Sequence, residues 1–120
     1  MRILIVDDSK AMRNIVMRAM KQAGFASHEF QEASNGAEAL STIQSSSFDL
    51  VLSDWNMPQM TGIQLLDSLR AAGNPIKFGF VTSECSDDMR QTALKSGALF
   101  LITKPFTPEA FQSQLTQVKL

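Results

Sequence analysis

Hydrophobic and polar positions follow two alternating periods along this chain. Short apolar runs at Arg2 to Val6, His28 to Glu32, Leu50 to Ser53, Ile76 to Val81 and Leu99 to Thr103 read as strands. Three of these are near-continuous in Ile, Leu, Val and Phe, as expected of strands covered on both faces of a sheet. Amphipathic stretches separate them. In the first, Ala11, Met12, Ile15, Val16, Ala19, Met20 and Ala23 recur at the spacing of one buried helical face, and Gly24 ends it. The other helices are expected at Ala37 to Ser45, Ile63 to Ala72, Asp87 to Ser96 and Pro108 to Val118, each bounded by Gly, Pro, Ser or Asn. Alternating strands and helices need right-handed crossovers. The compact solution is an α/β fold, a doubly wound (βα)5 parallel sheet with helices on both faces.

The 120 residues, 44% of them apolar, are enough for one core and are expected to form one domain spanning 1–120. Eleven basic and 12 acidic side chains give a net charge of −1, mixed along the chain. That balance argues against nucleic acid as a partner and against a polybasic membrane anchor. The first apolar run meets Asp7 and Asp8 too soon for a signal peptide or a membrane span, so a cytoplasmic location is expected. Cys85 is the only cysteine and His28 the only histidine, which excludes an internal disulfide and His/Cys metal clusters. No G-x-S-x-G elbow accompanies His28, which disfavours a Ser-His-Asp triad.

Ligands of such sheets bind at the carboxyl ends of the strands. Asp7 and Asp8 end the first strand, Asp54 the third, Thr82 the fourth, and Lys104-Pro105 the fifth. If the first and third strands are adjacent, three carboxylates crowd one pocket, repelling by roughly several kcal/mol per pair at an effective dielectric of about 20. A divalent cation relieves that repulsion, and few oxygen ligands supplemented by water suit Mg2+. Singly, each residue has an ordinary explanation. Asp at a strand end caps helices or forms turns, Asp54 opens the turn-like Asp-Trp-Asn-Met-Pro, and Thr82-Ser83 and Ser86-Asp87 could cap the fourth helix. Convergence of four strand ends on polar groups suited to phosphoryl chemistry outweighs these readings.

Val6-Asp7-Asp8-Ser9, Ser53-Asp54-Trp55-Asn56-Met57-Pro58 with Gly62, Val81-Thr82-Ser83-Glu84, Gly97-Ala98 and Thr103-Lys104-Pro105-Phe106 carry a resemblance that covers the full chain. Together they resemble the receiver domain of two-component response regulators, most of all the stand-alone chemotaxis type. The resemblance implies a flavodoxin-like sheet of order 2-1-3-4-5. It implies Asp54 as phosphoacceptor and Mg2+ held by Asp8 directly, Asp7 through water, Asp54, and the backbone carbonyl of Asn56. Thr82 and Lys104 would meet the phosphoryl oxygens, with a peptide bond to Pro105 that is usually cis. A histidine kinase or phosphotransfer protein would be the phosphodonor and another protein the output target. The chain would be a monomer or weak dimer and would catalyse only its own phosphorylation and dephosphorylation. A receiver cut from a larger regulator, or a binding module that is never phosphorylated, are the alternatives.

Other phosphoryl and phosphate chemistries fit less well. A haloacid dehalogenase-type phosphatase needs a second Asp two residues after its nucleophile, and here Asn56 stands there. In a flavodoxin the phosphate loop follows the first strand, where Asp7 and Asp8 would repel it. G-x-G-x-x-G and the P-loop signature are absent. The chain departs from the receiver pattern at Leu101, where an aromatic usually precedes the Lys by three residues; Phe100 is expected on the opposite face. The fifth helix is weakly charged, with Gln112, Ser113, Gln114, Thr116 and Gln117 between its apolar positions, which suits protein contact. Met12 and Met20 are expected in the core, and Met57, Met60 and Met89 on a partner surface near the active edge. His28 reads as a surface strand residue and Cys85 as a small packing residue.

Overall fold

The computed structural model describes residues 1–84 and 86–117, with the backbone alone at Gln117. Five parallel strands, β1 (Arg2–Val6), β2 (Glu29–Ala33), β3 (Leu50–Ser53), β4 (Lys77–Thr82) and β5 (Phe100–Thr103), pair in the order β2-β1-β3-β4-β5. Between and after them run α1 (Lys10–Met20), α2 (Gly36–Ser45), α3 (Gly62–Ala71), α4 (Asp87–Lys95) and α5 (Pro108–Gln117). The flavodoxin-like order implied by the resemblance is the order observed.

Strand alternation splits the core into two layers. Ile3, Ile5, Leu50, Leu52, Val81, Phe100 and Ile102 pack with Val16 and Met20 of α1 and Phe111 and Leu115 of α5. Leu4, Val6, Val51, Phe78, Phe80 and Leu101 pack on the other face with residues of α2, α3 and α4. Burial of each large side chain contributes roughly 1.5–3 kcal/mol, so the two-sided sheet is held as a rigid platform for its carboxyl edge. Leu101 and Phe100 fall in opposite layers, as alternation requires, and the Phe100 ring occupies the space that a side chain at Gly79 would need.

Several boundaries and burials differ from expectation. The strands β2, β4 and β5 begin one residue later than predicted. His28 lies in a bend before β2, donates its backbone N–H to Phe25 O at 3.1 Å, and sits with Nδ1 2.7 Å from the N-terminal nitrogen. It is half-buried and closes a turn instead of entering the ladder. The chain leaves α1 through a wide π-type turn, Lys21–Phe25, in which Gly24 takes the left-handed φ of 108° that a side chain disfavours. Ala11 and Ile15 are exposed, Ile15 by 48%, because the first turns of α1 overhang the carboxyl edge. Here Met12 and Ile15 line a groove with Lys104, Pro105 and Phe106 instead of meeting the sheet. Met20 is in the core, whereas Met12 is only half-buried. Met57 is core, and Met60 packs on that core against Gly36, where a Cβ would stand 2.8 Å from the Met60 Cβ. Neither is the open partner surface expected of it, and Met89 is half-buried. Cys85 and the predicted helix end at Val118 lie outside the described residues. Among the described residues no helix is long and apolar enough to cross a membrane.

Candidate functional site

The parallel ladders continue one residue past the strand ends and so fix where the polar groups stand. Asp7 N–H donates to Ala33 O at 3.2 Å, Asp54 N–H to Val6 O at 2.9 Å, and Lys104 N–H to Thr82 O at 2.8 Å. With Val6 opposite Ser53, the residues that follow them, Asp7 and Asp54, emerge side by side on the carboxyl edge. Asp8 completes the cluster: one carboxylate oxygen from each of Asp7, Asp8 and Asp54 lies within 4.8 Å of the others. The Lys104 Nζ enters from β5, 3.1 Å from Asp7 Oδ2 and 3.8 Å from Asp54 Oδ2. Its peptide bond to Pro105 is cis. Thr82 is fully buried at the end of β4, and its Oγ1 has no hydrogen-bond partner among the described residues.

The helix-capping roles open to these residues are taken by others. Ser9 caps α1, accepting from Met12 N–H at 3.3 Å, and Ser86 caps α4, accepting from Met89 N–H at 3.1 Å. The exposed Asp8 carboxylate is left without a hydrogen bond or ion pair to any described residue. Asp7, 3% exposed, accepts from Ser9 N–H at 2.9 Å through Oδ1 and from Lys104 through Oδ2. Asp54 accepts from Trp55 N–H at 2.8 Å through Oδ1. Asn56 is exposed on the loop that follows. That loop folds back because Gly62 N–H donates to Trp55 O at 2.8 Å, and a Cβ at Gly62 would collide with Asp54 O and the Phe80 ring. The Trp55 ring rests on Phe80, centroids 4.8 Å apart.

Burial pushes the Asp54 carboxyl above its ordinary value, Lys104 pulls it down, the Asp7 charge raises it, and the Trp55 N–H lowers it. The upward shift prevails. Ionised Asp54 therefore costs folding stability above its folded-state value, a cost that disappears as pH falls below the unfolded carboxylate range near 4. In the metal-free protein at neutral pH, Asp54→Asn should therefore raise the melting temperature. The gain should shrink as the scan is repeated toward pH 4. An unchanged or lower melting temperature at neutral pH would mean that the Lys104 attraction outweighs burial and Asp7.

The donor set suits a hard divalent cation: three convergent carboxylate oxygens, one of them unpartnered, at an open edge where water completes the shell. Every residue singled out for this edge, Asp7, Asp8, Asp54, Asn56, Thr82 and Lys104, is found on it or on the loop leading from it. Arg13 escaped the sequence reading. Its guanidinium holds Asp7 O at 2.7 Å and Glu32 Oε1 at 3.0 Å. The signal was a cation beside the apolar stripe of α1, but one partner is a main-chain atom and the other belongs to β2, so spacing alone could not name them.

The response regulator receiver domain model matches residues 3–116. The chemotaxis protein CheY of Pseudomonas aeruginosa is 36% identical over 120 residues, covering 98% of this chain and 95% of that one. CheY-3 of Vibrio cholerae is 37% identical over 120 residues, covering 98% and 91%. The structure of Vibrio cholerae CheY4 superposes with a TM-score of 0.85 at 34% identity, covering 98% of this chain and 97% of that chain. The chain belongs to the response regulator receiver domain family of two-component signalling. Within that family it is of the CheY-like, chemotaxis type.

Proposed function

We propose that Asp54 takes a phosphoryl group from a phosphohistidine on a histidine kinase or phosphotransfer protein, and that the phosphorylated form changes binding to an output protein. The observation that carries this reading is the Lys104 ammonium standing between Asp7 and Asp54 within a three-carboxylate cluster. An Asp54 carboxylate oxygen attacks phosphorus, the P–N bond breaks, and its electron pair stays on the departing imidazole. Asp8, Asp54, the Asn56 carbonyl and, through water, Asp7 would hold Mg2+. When bound, Mg2+ supplies positive charge against the oxygens of the transferring group. Lys104 adds a second cation on the same oxygens, and the unpartnered Thr82 hydroxyl gains an acceptor when they arrive. The chain catalyses its own phosphorylation and dephosphorylation and no other reaction. Its acyl phosphate is short-lived because Asn56 and Glu84, both exposed, leave the in-line path open to water. The setting is cytoplasmic, and the chain acts as a monomer or weak dimer.

Phosphorylation adds negative charge and strong acceptors beside Thr82 and Lys104. These residues end β4 and follow β5, so their response biases the surface of α4, β5 and α5. Leu94 and Leu99 are exposed there by 56% and 37%, an apolar offering consistent with a protein partner. With Leu101 buried in the core, no aromatic gate operates on β5. Thr82→Ala should still accept phosphate yet respond weakly, and Lys104→Ala should respond weakly with slower transfer. Amide exchange with and without beryllofluoride is the test: protection should change within residues 87–117 in the wild type and far less in both variants. Changes confined to the loops around Asp54 would refute this output face.

A further inference from the structure

We infer that Arg13 is a positioning residue for the cation, orienting the Asp7–Asp8 peptide by gripping the Asp7 carbonyl and anchoring itself on Glu32. The inference rests on the cation reading above and deepens it. Asp7 is fixed through every polar atom it has: its N–H donates to Ala33 O, Oδ1 accepts from Ser9, Oδ2 from Lys104, and its carbonyl from Arg13. Asp8 is the opposite case. Its carboxylate has no partner among the described residues, so its direction is set by the backbone that carries it.

That backbone is the peptide between Asp7 and Asp8, whose oxygen receives Arg13 Nη1 at 2.7 Å. The guanidinium is largely enclosed, with 13% of the side chain exposed, and its Nε donates to Glu32 Oε1 at 3.0 Å. A planar fork bound on two sides cannot rotate without losing one bond, so the peptide plane and the ligand beyond it are held. Glu32 lies on β2 and Arg13 on α1, so the brace ties the helix to the edge strand beside β1. Groups that support a metal ligand from behind typically change metal affinity about 10-fold to 100-fold when removed.

Charge alone predicts the reverse. A cation near three carboxylates opposes a divalent ion, so deleting Arg13 as a mere charge should tighten Mg2+ binding. The sign of the change therefore separates positioning from electrostatics, and a brace that serves folding only would lower the melting temperature and leave affinity alone. MgCl2 is titrated into the full chain, without phosphodonor, and followed by Trp55 fluorescence and by calorimetry. Arg13→Met, which keeps the stem and removes both donors, should weaken Mg2+ binding by about 10-fold or more. Arg13→Lys, with one compact donor, should recover part of that loss. Affinity in folded Arg13→Met within about two-fold of wild type, or tighter, overturns the inference. If Arg13→Met does not fold, Glu32→Gln and Glu32→Ala decide, since both remove the charge and only Gln keeps an acceptor for Arg13: weaker binding in Glu32→Ala than in Glu32→Gln supports the brace, and equal binding in the two overturns it. Asp8→Ala separates the two levels, since normal Mg2+ binding in that variant removes the cation site itself, whereas its loss beside a normal Arg13→Met removes only the role of Arg13.

Discussion

Phosphoryl uptake should vanish in Asp54→Asn. With Mg2+ and acetyl phosphate, the wild-type chain is expected to gain the mass of one phosphoryl group, and the variant none. The size of the effect follows from chemistry: an amide oxygen is neutral and cannot displace a leaving group to give an acyl phosphate, so no residual route exists at that atom. The substitution is close to isosteric, and removing a charge that burial disfavours and Asp7 repels should leave the fold at least as stable. A loss of uptake therefore cannot be charged to unfolding. Equal mass gain in both proteins would move the acceptor elsewhere.

The second large effect concerns Asp8 and Asp7, which are neighbours in sequence and opposites in structure. Asp8→Ala should weaken Mg2+ binding by about 10-fold or more, since it deletes an unpartnered ligand at little cost to the fold. Asp7→Ala should weaken it less, and should lower stability by roughly 1–3 kcal/mol, because it strips partners from the Ser9 N–H and the Lys104 ammonium. Titration of Trp55 fluorescence with Mg2+, paired with thermal melts, checks both. Equal binding in the wild type and both variants would remove the cation from the site.

Much of this was legible in the residues. Apolar runs of β1 and β3 and the Ser, Asn and Gly punctuation fixed element type, because local periodicity and turn chemistry agree there with the tertiary fold. The strand-end rule alone located Asp7, Asp54, Thr82 and Lys104, since a polar residue after an apolar strand must emerge at the edge. Sheet order was not legible from periodicity; it came with the motif resemblance. Failures have a common cause. Ile15 fits the helical stripe, but nothing in the sequence says that α1 overhangs the sheet. Met57 follows a polar Asp-Trp-Asn and reads as exposed, yet the loop turns back through Gly62 and buries it. Arg13 acts on a main-chain oxygen, a partner that leaves no mark in side-chain pattern. In each case long-range packing decided what spacing could not.

Reductive trapping tests the central claim most directly. Borohydride converts an aspartyl phosphate to homoserine, so treatment after incubation with acetyl phosphate and Mg2+ marks the acceptor in the unmutated chain. Peptide mass mapping should find homoserine at position 54 and at no other Asp. Homoserine at position 7 or 8, or none at all in a chain that has gained a phosphoryl mass, would contradict an acyl phosphate on Asp54.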